Sequence, residues 1–178
     1  GANALGANTT ASENTAVGVS SLSTNTTGSS NTAVGRLAMN LHESGNDNVA
    51  VGKSALAAST TGFSNVAVGK DALLSCTTAN GNSAFGAFAL DACTTASANT
   101  AIGGAALGAT TTGAENTALG SVALLNNTTG ANNVAVGRQS LMTNTTASNN
   151  TAVGYQSLFL NTTGSENVAV GKEALAAN

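Results

Sequence analysis

Glycine recurs at residues 18, 35, 52, 69, 86, 103, 120, 137, 154 and 171, a spacing of 17 with no insertion anywhere. The same phrase leads into each one, Asn14-Thr15-Ala16-Val17-Gly18 at the first and Asn167-Val168-Ala169-Val170-Gly171 at the last. A strict period this short means one small unit stacked on itself, since no single repeat can bury a core alone. With positions numbered 1 to 17 from the Asn, residues 1–13 are the tail of one repeat, 14–166 are nine full repeats and 167–178 open another. The whole chain, 1–178, therefore reads as a single array and is expected to be a segment of a longer fibre.

The unit is extended rather than helical. Position 1 is always Asn, position 3 Ala and position 5 Gly, while position 4 is Val, Ile, Leu or Phe. These small and β-branched residues lack helical spacing and predict a short strand that ends at the Gly. Seventeen residues cannot hold two helices and their connections, and helical-hairpin repeats are about twice as long. The fold expected is all-β: a parallel β-solenoid (β-roll), one repeat per coil, about ten coils, making a rod roughly 50 Å long at ~4.8 Å per coil. Alternation places positions 2 and 4 on one side of the strand and the Ala of position 3 on the other. Bulk suggests position 4 and the Leu of position 9 as interior fill, and the Ala file as a place of close approach, across a thin coil or between subunits. Positions 6–9 are expected to lead into a second extended piece, and positions 12–17 carry turn residues. Stacking would let Asn14, Asn31, Asn48, Asn65, Asn82, Asn99, Asn116, Asn133, Asn150 and Asn167 bond to one another as an amide ladder.

Charge tests this frame. All five basic residues (Arg36, Lys53, Lys70, Arg138, Lys172) fall at position 6, and Glu13, Asp47, Glu115 and Glu166 fall at position 17. Charges are rarely buried unpaired, so both positions are expected to face solvent. A net charge of −3 offers no footprint for nucleic acid. No apolar run approaches the ~20 residues of a membrane-spanning helix, so no membrane insertion is expected from this segment.

Few residues suggest chemistry. Cys76 and Cys93 share position 12 in consecutive repeats, within reach of a disulfide if stacked ~4.8 Å apart; the plainer reading is two small residues replacing Asn in a ladder. His42, also at position 12, has Glu43 and Ser44 as sequence neighbours, but adjacent strand residues point apart, so a ladder or surface role is expected over a triad. Asp47 lacks the ligand spacing of a calcium loop. Asn25, Asn127, Asn144 and Asn161 precede Thr-Thr and match glycosylation acceptors, as so Asn- and Thr-rich a repeat must. No catalytic residue, metal or cofactor is expected.

Asn-Thr-Ala-Val-Gly followed by Ala-Leu resembles the head repeats of trimeric autotransporter adhesins of the YadA type. Stretches such as Ser157-Leu158-Phe159-Leu160-Asn161-Thr162-Thr163-Gly164 are similar to repeats of phage tail fibres and bacterial surface proteins. The resemblance implies a left-handed parallel β-roll, three chains side by side, and a non-enzymatic adhesive or structural fibre at a cell surface or virion tail. It implies a glycan or surface-protein receptor as partner. Residues that break the repeat outwardly, Phe63, Phe88, Tyr155, Phe159, Leu37 and Leu41, are the candidate contacts. The 17-residue period is longer than that family's. Two other functions fit an array of this kind: ice binding through the Thr-Thr files of positions 13 and 14, and end-to-end assembly into an extracellular filament through unpaired strand edges.

Overall fold

The computed structural model describes residues 1–177 and contains one three-residue strand per repeat. These are β1 (Thr15–Val17), β2 (Thr32–Val34), β3 (Val49–Val51), β4 (Val66–Val68), β5 (Ser83–Phe85), β6 (Thr100–Ile102), β7 (Thr117–Leu119), β8 (Val134–Val136), β9 (Thr151–Val153) and β10 (Val168–Val170). They form one parallel sheet in chain order. The register is strict, Ala16 opposite Ala33 at one end and Ala152 opposite Ala169 at the other. Each repeat is one coil of a β-solenoid.

Main-chain hydrogen bonds join the coils. On either side of each strand, Thr32 N donates to Asn48 O in the coil after (2.8 Å) and Gly35 N to Val17 O in the coil before (2.7 Å). The bonds continue past the strands, with Leu37 N donating to Val19 O and Met39 N to Ala55 O, each at 3.0 Å.

The expected interior has to be corrected on one face. Ala33, Ala50, Ala67, Ala84, Ala101, Ala118, Ala135 and Ala152 are completely buried, so the position 3 file lies inside the coil. Position 4 points outward, half-buried at Val34 and Val51 and exposed at Phe85, Ile102 and Leu119. The alternation of positions 2 and 4 against 3 holds, but bulk misleads about which side is in. Position 1 shares a side with position 3, and its buried Asn amides are satisfied by the neighbouring coils. Ala then faces in with it and joins the Leu of position 9 in one buried core. Leu22, Leu56, Leu73, Leu90, Leu107, Leu124, Leu141 and Leu158, with Met39, are fully buried as expected.

The second extended piece is absent among the described residues. Positions 6–11 run instead as turns. Residues at positions 7 and 9 take left-handed φ, for example Ser54 (56°) and Leu56 (53°), and position 17 does the same, as at Asp47 (59°). A non-glycine residue there costs about 1–2 kcal/mol. Burying a Leu completely recovers ~1.5–3 kcal/mol, so the inward Leu outweighs its own backbone strain. Such turns let so short a coil close without a second strand.

Candidate functional site

The strand face carries a long continuous surface feature. Across it run four exposed or half-exposed files, positions 17, 2, 4 and 6, with the buried Asn and Ala files between them. The middle two are uncharged: Thr, Val or Ser at position 2 and Val, Phe, Ile or Leu at position 4. Position 4 is bulkiest at Phe85, Ile102 and Leu119, where position 2 is Ser83, Thr100 and Thr117. The face therefore carries a continuous apolar file at position 4 beside a file of Val, Thr and Ser at position 2.

Opposite charges border it. Arg36, Lys53, Lys70, Arg138 and Lys172 are exposed along one rim, and Glu13, Asp47, Glu115 and Glu166 along the other. The two rims do not pair within the chain. Among the described residues the ion pairs are Lys70 with the half-buried Asp71 (3.5 Å) and the exposed Lys172 with Glu173 (3.4 Å), both between sequence neighbours. Lys70 also lies over the Phe88 ring at 4.7 Å, and Arg138 over Tyr155 at 6.0 Å.

Inside the coil, two polar files hold the stack together. At position 1 each Asn oxygen accepts twice from the next coil: Asn48 N and Asn48 Nδ2 both donate to Asn31 Oδ1 at 3.0 Å. The same Nδ2 donates to Gly62 O at 2.9 Å, across the coil. This pattern repeats through Asn65, Asn82, Asn99, Asn116 and Asn133. At the two ends, Asn14 Nδ2 donates to Gly28 O and Asn167 Nδ2 to Asn150 Oδ1. Position 12 forms a second file, in which Asn144 Nδ2 donates to Asn127 Oδ1 (3.0 Å) and to Ala147 O (3.0 Å).

That second file holds the residues with potential chemistry. Cys76 and Cys93 are free thiols, wholly buried in consecutive coils, and Cys93 Sγ donates to Ala96 O at 3.4 Å. The contact with Cys76, and then burial, push the Cys93 thiol far up from its ordinary value, which leaves it protonated and inert. His42 is equally buried: Nε2 donates to Gly45 O (2.8 Å), which fixes the tautomer and makes Nδ1 the acceptor for Ser59 Oγ (3.3 Å). Its partner is thus Ser59, one coil away, rather than Glu43 or Ser44. Burial lowers the His42 pKa, more than the Gly45 and Glu43 contributions raise it. Asn25, Asn127, Asn144 and Asn161 sit in this file too, so their acceptor motifs face the interior.

The outward irregular residues scatter. Phe63, Phe88, Tyr155 and Leu41 are exposed, and Phe159 and Leu37 half-buried. They occupy positions 16, 7, 6, 11 and 10, with Leu37 at 7, and do not converge on one site. The Thr-Thr files divide. Position 13 hydroxyls donate to the next coil's carbonyl, as Thr77 Oγ1 does to Thr94 O (3.1 Å), leaving position 14 as the single exposed rank. Sequence reading placed both charged rims but missed the apolar face between them, because position 4 was assigned inward. Comparison with protein-family models, with curated proteins and with solved structures finds no match.

Proposed function

We propose that this chain is a non-enzymatic structural and adhesive fibre segment, working as a side-by-side oligomer, a trimer on the YadA-type resemblance, outside the cell or on a virion tail. One observation carries this reading: the uncharged face of positions 2 and 4 runs the full length of the rod. Nine intervals of ~4.8 Å and two files ~7 Å apart give a strip of roughly 45 by 10 Å. An exposed apolar strip of several hundred Å² is often a contact site. The Ala files, inside the coil, are not available for subunit contact, so the contact falls on this face instead. Receptor contact, with a glycan or a surface protein, would fall to outward residues away from the strip, among them Phe63, Phe88 and Phe159; Tyr155, at position 6, stands on the rim of the strip itself.

Light scattering tests the assembly. The expected mass is three times that of the 17.0 kDa chain. Ile102→Asp, which charges the strip without entering the core, is expected to give folded monomers with an unchanged circular dichroism spectrum. A wild-type chain that stays monomeric would overturn the proposal and make ice-recrystallisation inhibition the next assay; large polydisperse particles would favour end-to-end filaments.

A further inference from the structure

From the two charged rims we infer that neighbouring copies of this chain pack parallel and level, the cationic file of one copy docking on the acidic file of the next. The inference rests on the oligomeric reading above and goes beyond it by naming the ionic contacts and the orientation they select.

The geometry is a matter of rotation. If copies are related by rotation about an axis along the rod, their strand faces meet with strand directions turned round the axis. The position 6 rim of one then reaches the position 17 rim of the other. If one rod is inverted instead so that the faces meet, position 6 meets position 6 and position 17 meets position 17. The first arrangement puts Lys and Arg beside Asp and Glu; the second puts like charges together, which costs binding energy.

The levels along the rod agree. Measured by the strand each flanks, the acids lie at β1 (Glu13), β3 (Asp47), β7 (Glu115) and β10 (Glu166). The cations lie at β2 (Arg36), β3 (Lys53), β4 (Lys70), β8 (Arg138) and β10 (Lys172). With copies level, Lys53 faces Asp47 and Lys172 faces Glu166, while Arg36 and Arg138 stand one coil from Glu13 and Glu115. One coil is ~4.8 Å, within reach of a long side chain. Every acid of the rim has a cation. Arg36, Lys53 and Arg138 have no ion-pair partner within the chain among the described residues, so they are free to serve a neighbour.

Exposed pairs of this kind add little affinity, with typical values of 0.2–1 kcal/mol each. Their effect is on choice: the apolar strip supplies attraction in either orientation, and the rims decide between them.

The test inverts one pair. Lys53→Asp sets two acids against each other at β3 in the parallel arrangement and is expected to raise the dissociation constant about tenfold or more. Adding Asp47→Lys in the same chain restores opposite charges and is expected to restore assembly. Orientation is read separately from a spin label on Ser12→Cys, near one end of the rod; the native thiols are buried and stay unlabelled. Parallel copies place the labels closer together than half the rod length. An oligomer of unchanged mass whose labels lie about a rod length apart, or one indifferent to Lys53→Asp, would overturn the inference while leaving the fibre reading intact. A wild-type monomer would overturn both.

Discussion

His42 shows what a single residue can do to a stacked file. In the regular pattern the amide of each position 12 Asn donates to the Asn oxygen of the coil before it, as Asn144 does to Asn127. His42 stands where the donor to Asn25 would be, with both ring nitrogens engaged elsewhere, and Asn25 Oδ1 is left buried without a partner. His42→Asn would supply that donor and is expected to stabilise the protein by about 1–2 kcal/mol, the usual cost of an unsatisfied buried acceptor. It should also alter pH dependence. Burial holds the folded-state His42 pKa below its ordinary value, so as pH falls below ~6.5 the unfolded chain takes up a proton that the folded one resists. Stability is then complete above that pH and declines on acidification until the folded pKa is passed. Thermal melts between pH 7.5 and 5 check this: the wild type is expected to lose more stability than His42→Asn, and parallel declines would contradict the assignment. The sequence places His42 in a ladder position, but not its partner. Ser59 lies 17 residues away, and only the stacking brings the two together.

At the scale of the coil, glycine at position 5 marks a close approach between layers. Gly103 has φ of 135°, and a Cβ built on it would lie 2.6 Å from both the carbonyl carbon and oxygen of Gly120 in the next coil. Backbone cannot yield as a side-chain tip can. Gly103→Ala is therefore expected to cost about 2–5 kcal/mol through strain and overpacking together. In a one-dimensional array the damage is local, so the melting transition should broaden or split where the stack is interrupted; an unchanged sharp transition would refute the contact. This bend was legible beforehand, because an invariant Gly after β-branched residues has few other uses. The turns at positions 7 and 9 were not. Leu56 and Val122 (φ 52°) are poor candidates for left-handed backbone by intrinsic preference. They adopt it because coil closure and burial outweigh local cost, and neither quantity can be read from one repeat. The misplacement of position 4 has the same origin, since Val68 outweighs Ala67 on any scale of hydrophobicity, yet Ala67 is the residue buried in the coil.

For the whole molecule, the parts are interchangeable in units of 17. Every coil presents the same main-chain and position 1 Asn donors and acceptors above and below, so deletion of residues 116–132 should close cleanly, β6 pairing with β8 in register. That variant is expected to fold cooperatively with slightly reduced stability, whereas deletion of eight or nine residues from the same place should fail. Circular dichroism melts of the two distinguish a modular stack from a globule. A second consequence concerns force. The bonds between coils run along the rod, so tension on its two ends loads them nearly in line, and the coil at the end, held on one side only, opens first. Each opened coil exchanges a rise of ~4.8 Å for 17 extended residues at ~3.4 Å apiece, a gain of roughly 50 Å. A tethered fibre built this way would pay out slack in equal steps under load, and single-molecule pulling should record an evenly spaced sawtooth rather than one abrupt rupture.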